Sequence, residues 1–415
     1  MFFARRVPSS ARDAYSKDAA SGMLGAVMLG LTVPFFGVIA RKTLHASGFE
    51  IGVISMAPVA GYLFSLLWAK HMEGRRRMPF AVWAWVASRS TLFAAVFATT
   101  ATSFIIMAAA FYLILSIASP AYSAIIREIY PAGERATLMG YARVCTISVY
   151  VLVLLFTVVF PILEGHNYRF VFPIAGLFGV ASALVFSRIL TTDTTGETGT
   201  PLHQFVRESI MILRDDGGYR WFCTGIFIFG FANFLAQPAF TIYQVDIGVD
   251  TRWAGAFSIV ASAMMPFAYY YWGRIIDRRR PEKIVAIQAL AWIAIPIIYT
   301  FADRPWMLLF TALISGVIGA GVELVYFTGV LHYSSDELFS RYYALFLSLM
   351  GIRGILGPMI GGAMVDLGIV PIKAIFLASA GVMLVSVWVQ LEGARRFPKP
   401  REIGSTHDSG ERTDP

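Results

Sequence analysis

The sequence has 415 residues, of which 57% are hydrophobic and only 14% are charged, and it carries a net charge of +8. Soluble domains carry about 25% charged residues, so this composition excludes an ordinary soluble protein and is typical of a chain that crosses a membrane many times. The basic residues lie at the ends of apolar segments, which argues against nucleic acid as a partner.

Uncharged stretches recur along the chain and predict twelve membrane-spanning helices. The first, residues 22–40, follows a basic N-terminal segment (1–21) and has 19 residues, close to the roughly 20 that a bilayer core requires. The other predicted spans contain the stretches 51–69, 79–99, 103–126, 144–163, 170–187, 221–245, 253–273, 284–302, 305–322, 342–365 and 374–391, and some extend beyond them by a few residues. Because backbone polar groups in lipid must be paired within their own segment, the predicted fold class is all-α.

The distribution of positive charge predicts the orientation. With the N-terminus in the cytoplasm, the cytoplasmic segments hold 25 Lys and Arg residues and the external segments hold six, which is a clear positive-inside bias. We therefore expect both termini in the cytoplasm and the protein in the plasma or inner membrane. Residues 189–219 are a predicted cytoplasmic linker with a short amphipathic helix, and residues 393–415 are a predicted disordered tail.

The linker separates six predicted helices from six. Three pairs of residues in corresponding helices are 204 positions apart: Pro34 and Pro238, Trp68 and Trp272, and Tyr122 and Tyr326. A run of three arginines also follows the second helix of each half. This near-constant offset predicts that residues 22–188 and 220–392 are two pseudo-symmetric six-helix bundles.

At these features the chain resembles the major facilitator superfamily. That family carries the pattern Gly-x-x-x-Asp-Arg-x-Gly-Arg-Arg in the cytoplasmic loop after helix 2. The second half matches it at Gly273, Asp277 and Arg278, and the first half at Gly74 and Arg75, whereas His71 stands at the Asp position of the first half. The resemblance implies alternating access around a central site, with these loops as gates. The alternative is that the arginines only retain the loops in the cytoplasm.

Ionisable residues inside predicted spans are the first candidates for a site, because burying charge in a membrane is costly. Glu323 in predicted helix 10 and Arg353 in helix 11 lie at similar depths, so they can pair if their faces agree. We predict Glu323 as a proton acceptor and Arg353 as its partner or an anion ligand; the alternative is a permanent ion pair that fixes packing. Arg143 in helix 5 either lines the cavity or extends to the cytoplasmic surface, whereas Arg89 in helix 3 is predicted to form a structural pair or to extend to the membrane surface.

Polar and aromatic residues add further candidates. Asn233 and Gln237 in helix 7 are four residues apart and share a face, so they either line the cavity or bond to other helices. Tyr122 and Tyr326 occupy matching places, and Tyr326 shares the face of Glu323. A Gly-Pro-x-x-Gly-Gly sequence, which drug antiporters of this superfamily carry in helix 5, falls in helix 11 here, where Gly357 and Gly361 predict a close helix contact.

Motifs for phosphate loops and zinc peptidases are missing from the sequence, so we predict neither an enzyme nor a bound cofactor or metal. The sequence predicts a monomeric secondary active transporter that moves a small solute by alternating access with a proton or another coupling ion. Three cations against one carboxylate within the spans favour an anionic or sugar-like substrate. The alternative is a drug or metabolite efflux antiporter. A membrane-embedded enzyme and a non-transporting sensor are less favoured.

Overall fold

The computed structural model describes residues 7–72, 75–131, 134–191, 202–276, 279–334 and 338–397, and these ranges are almost entirely helical. We number the membrane helices α1 to α12 and name Leu202–Asp215 the linker helix. Their bounds are α1 Arg12–Thr43, α2 Gly48–Met72, α3 Arg77–Ser90 with 3-10 turns to Val96, α4 Ala101–Ile129, α5 Arg135–Val159, α6 Tyr168–Phe186, α7 Gly217–Asp246, α8 Thr251–Ile276, α9 Pro281–Phe301, α10 Pro305–Tyr333, α11 Phe339–Asp366 and α12 Ile372–Arg396.

Each predicted span corresponds to one of these helices. In the described ranges, nine helices are long and apolar enough to cross a membrane. The others are α2, whose recorded apolar part is Gly48–Phe64, α3, which has 14 α-helical residues, and α8, which contains Pro266 and three consecutive tyrosines. Helices α2 and α8 pack between the two halves and α3 packs on α4 and α6, so all three belong to the same bundle.

The first and last membrane helices extend further than the sequence predicted. Helix α1 begins at Arg12 rather than residue 22, because Tyr15 and Ala19 pack in a small core with Tyr130. Helix α12 continues to Arg396, so the first residues of the predicted tail are helical; residues 398–415 lie outside the described ranges. The linker helix is present and exposes Ile210.

The two halves repeat the same helix packing. In the first half α1 packs on α5 and α6, α2 on α4, and α3 on α4 and α6; the same five pairs recur six helices later. A hydrogen bond repeats as well. Ser182 Oγ donates to the Ser21 carbonyl at 2.7 Å, and Ser386 Oγ donates to the Gly225 carbonyl at 2.7 Å, with both partners displaced by 204 residues. The two pseudo-symmetric bundles are therefore present in the structure.

The halves meet along α2–α11 and α5–α8, which are equivalent pairs in the repeat. We call the end of the bundle that holds segments 44–47, 160–167, 247–250 and 367–371 the loop end, and the opposite end the terminal end. At the loop end, the Asp366 carboxylate accepts hydrogen bonds from the backbone N–H groups of Gly48 at 2.5 Å and Phe49 at 2.7 Å. Arg252 and Glu164 are 3.5 Å apart across α5–α8. The halves are therefore joined at the loop end.

The close helix contact predicted for α11 is confirmed. A Cβ atom at Gly361 would run into the Leu235 carbonyl of α7, and one at Gly357 would lie 2.7 Å from the Phe234 Cβ. Since the obstacle at Gly361 is backbone, a side chain there requires the two helices to separate.

Substitution Gly361→Ala is expected to destabilise the protein by about 1–3 kcal/mol, the usual cost of overpacking a close contact. The melting temperature of the detergent-purified protein, followed by tryptophan fluorescence, should fall by a few degrees. Gly381→Ala on α12 is the matched control, because a Cβ there meets no atom within 4 Å. Equal melting temperatures for the two variants would contradict the close α7–α11 contact.

Candidate functional site

The predicted site residues inside the bundle are distributed among three separate polar cavities lined by described residues. The Glu323 cavity, about 240 Å³, lies between α2, α7, α10 and α11. The Asp18 cavity, about 220 Å³, lies inside the first half. The Gln237 cavity, about 270 Å³, lies among α7 to α10. The sequence predicted one central site, whereas the structure separates its members into three groups.

The Glu323 cavity is acidic and aromatic. Glu323 is exposed and accepts a hydrogen bond from the Tyr269 hydroxyl of α8. Tyr326 follows one turn later and lines the same cavity, as the sequence predicted, together with Tyr62 of α2 and Tyr343 of α11. A carboxylate surrounded by aromatic rings in this way can bind a proton or an organic cation.

Arg353 lies in the wall of the Glu323 cavity and is 95% buried. Its Nη1 donates a hydrogen bond to the Ile226 carbonyl of α7, and its guanidinium carbon lies 5.8 Å from the ring centroid of Tyr326. A Cβ at Gly230 would collide with this guanidinium, so the absence of a side chain there admits the arginine. Among the described residues, Arg353 and Glu323 share a cavity but form no ion pair.

The Asp18 cavity contains a carboxylate that was not predicted from the sequence. Asp18 is 94% buried and accepts a hydrogen bond from the Tyr130 hydroxyl at 2.7 Å. Burial and the nearby Asp18 carboxylate raise the pKa of Tyr130, so its hydroxyl stays protonated as the donor. The sequence pattern assigned Asp18 to a cytoplasmic segment. Its spacing of three from Tyr15 and Ser21, both buried on α1, was the available signal.

Arg143 lies in the Asp18 cavity and also acts on the second half. It is exposed, lines the Asp18 cavity with Tyr122, and acts electrostatically on Asp18. It also acts on Tyr269 of the second half, the donor to Glu323. One arginine of the first half therefore acts on Asp18 of its own half and on a tyrosine of the second half.

Arg89 also lines the Asp18 cavity but is anchored to the protein. It is 94% buried, its Nη1 donates to the Gly179 carbonyl at 2.6 Å, and its guanidinium lies 4.7 Å from the Trp85 ring centroid. The hydrogen bond to Gly179 joins α3 to α6, and both contacts agree with the predicted structural role.

The Gln237 cavity is lined by neutral polar groups. Asn233 accepts a hydrogen bond from Trp292 Nε1 at 3.0 Å, and Gln244 Nε2 donates to the Tyr299 hydroxyl at 2.5 Å. The buried Gln237 Oε1 has no hydrogen-bond partner among the described residues. Asn233 and Gln237 thus share a face, as predicted, but that face lines a different cavity from Glu323.

The predicted gating loops are partly outside the described ranges, which omit Gly74, Asp277 and Arg278. Arg75 Nη1 lies 2.9 Å from His71 Nε2, and a Cβ at Gly273 would meet no atom within 4 Å. The gating role of these residues stays a prediction.

A network near the second loop was missed because its acid was read as part of an exposed loop. Glu282 is 99% buried and binds Arg280 at 2.8 Å, and it accepts a hydrogen bond from Tyr333. Arg280 also donates to the carbonyls of Ala394 at 3.0 Å and Phe397 at 2.9 Å. The network joins α9, α10 and α12 at the terminal end.

No group of three or more His, Cys, Asp or Glu side chains that could hold a metal ion occurs in the part of the chain that the structure describes.

Twelve membrane helices in two repeated halves, with ionisable side chains facing internal cavities, define a polytopic protein of the transporter class. The family model for the Major Facilitator Superfamily matches residues 19–322 and 223–410. The chain belongs to that superfamily. Members of this superfamily are multi-pass membrane transporters and not enzymes.

Comparisons with individual proteins agree with this assignment. The chain is 25% identical over 178 residues to the multidrug resistance protein MdtG of Proteus mirabilis (strain HI4320), covering 41% of this chain and 42% of that relative. The match thus spans about two fifths of the relative's length. The fold is similar to that of the nucleoside transporter NupG, with a TM-score of 0.71 at 12% identity over 92% of this chain and 98% of the other.

A second solved structure has the same fold. It is a bacterial homolog of the human lysosomal transporter Spinster, which matches with a TM-score of 0.69 at 12% identity over 94% of this chain and 98% of the other. At these identities the structural similarity shows only a shared fold. It does not assign the substrates of those transporters to this protein.

Proposed function

We propose that this protein is a proton-coupled secondary transporter of the cell's inner membrane, working as a monomer by alternating access. One observation carries the proposal: Glu323 is exposed to a cavity, bonded to a neutral tyrosine hydroxyl and not paired with Arg353 in the described structure. A membrane carboxylate without a permanent cationic partner is free to take up and release a proton.

The proposed orientation places both termini and the terminal end in the cytoplasm, as the distribution of basic residues indicates. The halves are joined at the loop end by Asp366 and by the Arg252–Glu164 pair. With this orientation, the joined end faces outward, and Glu323 and Arg143 are reached from the cytoplasm. The proposed direction of loading is therefore from inside.

For the substrate, we propose an amphiphilic organic cation exported in exchange for protons. Of the three membrane arginines, Arg89 and Arg353 are buried and bonded to backbone carbonyls, which leaves Arg143 as the exposed one. A second carboxylate, Asp18, lines a separate cavity in the first half. This balance supports the efflux alternative over the anionic preference, and the partial match to multidrug resistance proteins supports it too.

A second candidate is an anionic or sugar-like substrate. Arg143 supports an anion, since it is exposed beside the Asp18 cavity. The neutral Gln237 cavity, with an unpaired amide oxygen among the described residues, supports hydroxyl-bearing solutes.

A thermal-shift screen of the detergent-purified protein tests these candidates. The panel contains lipophilic cations such as ethidium, organic anions, sugars and nucleosides, each near pH 6 and pH 8. A ligand at 100 times its Kd stabilises the protein by about 2.7 kcal/mol. We expect stabilisation by ethidium that is stronger at pH 8 and lost in Glu323→Gln. Stabilisation by anions that is lost in Arg143→Gln would instead overturn the cation proposal.

A further inference from the structure

Equivalent tryptophans precede the arginine clusters of the two halves, but their indole N–H groups differ. Trp272 Nε1 donates a hydrogen bond to the Val317 carbonyl at 2.9 Å. Trp68, which lies 204 positions earlier, has a buried Nε1 with no hydrogen-bond partner among the described residues. A buried donor without an acceptor bears the full cost of its desolvation. Within the described part of the first half, the Trp68 N–H group therefore lacks the acceptor that its counterpart Trp272 has.

A residue just after the arginine cluster also differs between the two halves. In the second half, Arg280 is held by the buried Glu282 and by carbonyls of α12. Met78 occupies the position equivalent to Glu282, so this carboxylate has no counterpart in the first half. Arg75 and Arg76 are exposed. The first-half cluster therefore presents positive charge at the bundle surface.

An apolar groove lies directly beside this cluster, with a volume of about 500 Å³. It runs between α2, α3 and α4 and is lined by Trp68, His71, Phe80, Trp83 and Ile117, among others. Trp83 is 71% exposed on the outer face. In a membrane this face contacts lipid, and aromatic rings near a helix end lie at headgroup depth.

We propose that this groove binds one anionic phospholipid. An acyl chain fills the groove along Phe80 and Trp83, an ester or phosphate oxygen accepts the Trp68 N–H, and the negative headgroup lies on the Arg75–Arg77 cluster. Basic residues beside membrane helices bind anionic headgroups in this manner. A lipid supplies both the missing acceptor and the chain, whereas a helix from a second copy has its backbone acceptors already paired. This site is independent of the transported substrate.

The test is lipid binding to the detergent-purified full chain by native mass spectrometry, with phosphatidylglycerol compared against phosphatidylcholine. We expect wild type to prefer phosphatidylglycerol. In a variant with Gln at positions 75, 76 and 77, the affinity for phosphatidylglycerol should fall about a hundredfold, which is about fivefold for each arginine. The affinity for phosphatidylcholine should not change. Trp68→Phe keeps the charges and the ring, and should weaken both lipids about fivefold through the lost hydrogen bond.

Arg279→Gln, an exposed arginine of the second-half loop, is the matched control and should leave both affinities unchanged. Equal affinity of wild type for the two lipids would overturn the headgroup assignment. If Arg279→Gln lowered the affinity for phosphatidylglycerol by the same factor per arginine, the preference would come from general surface charge. That result would also overturn the site. A dimer that dissociates in Trp68→Phe would give the groove to a second copy instead of a lipid.

Discussion

Replacement of Glu323 by glutamine is expected to abolish proton-coupled transport while leaving the protein folded. Glutamine has the shape of glutamate and its side-chain oxygen still accepts the hydrogen bond that Tyr269 donates. The glutamine side chain cannot bind and release a proton, so no group at position 323 carries protons in exchange for substrate. In proteoliposomes with an internal pH-sensitive dye, addition of ethidium should produce a proton flux with wild type and none above empty liposomes with Glu323→Gln.

The control for this experiment is Glu392→Gln. Glu392 lies at the terminal end of α12 and pairs with exposed Arg396 at 2.8 Å, away from all three cavities. Its flux should equal that of wild type. A Glu323→Gln protein that still moves protons with substrate would exclude Glu323 as the carrier and direct attention to Asp18, the other carboxylate at a cavity.

Asp366→Asn is expected to open the loop end of the transporter. The Asp366 carboxylate of α11 caps the first turn of α2 through two backbone N–H groups, at 2.5 and 2.7 Å, and so joins the two halves. A charged cap at a helix N-terminus also interacts favourably with the helix dipole. Asparagine removes the charge and one acceptor, so the joined state should lose about 2 kcal/mol, which is roughly a thirtyfold shift in the conformational equilibrium.

The measurement is the distance between spin labels at Phe49 and Leu367, two exposed positions at the loop end of opposite halves. The distribution should move to longer distances in Asp366→Asn. Asp250→Asn is the matched control, because Asp250 caps α8 within its own half by accepting from the Trp253 N–H at 3.0 Å. It should lower thermal stability and leave the distance unchanged. An unchanged distance in Asp366→Asn would show that other contacts hold the halves together.

The fold followed from the sequence because its determinants are periodic and strong. Long uncharged stretches define helices in lipid whatever their neighbours, and the 204-residue offset between Trp68 and Trp272 was visible without knowledge of packing. The ends of the bundle were predicted less well. Asp18 looked like a loop residue because its charge ended the apolar stretch, whereas in the structure it lies inside α1 and binds the Tyr130 hydroxyl.

The site was predicted residue by residue but not as an arrangement. Depth along a helix placed Glu323 and Arg353 at one level, and the structure does bring them to one cavity. Whether two side chains on different helices meet also depends on how each helix is rotated about its own axis. The sequence of one chain does not give the rotation of one helix relative to another. Arg353 turns to the Ile226 carbonyl through the space left by Gly230, and this contact depends on how closely α7 approaches α11.

The two seams that join the halves are equivalent by the repeat but unequal in construction. Along α2–α11, Gly48, Gly52 and Gly362 bring backbone against backbone, so that a Cβ at Gly52 would lie 2.5 Å from the Pro358 carbonyl. Along α5–α8, a Cβ at Gly255 would meet the Val158 side chain at 2.8 Å instead. The α2–α11 interface is therefore packed backbone against backbone, whereas the α5–α8 interface contains a side chain that can move. We expect the two halves to rotate about α2–α11 and to separate along α5–α8, so that bulky molecules enter and leave beside α5 and α8.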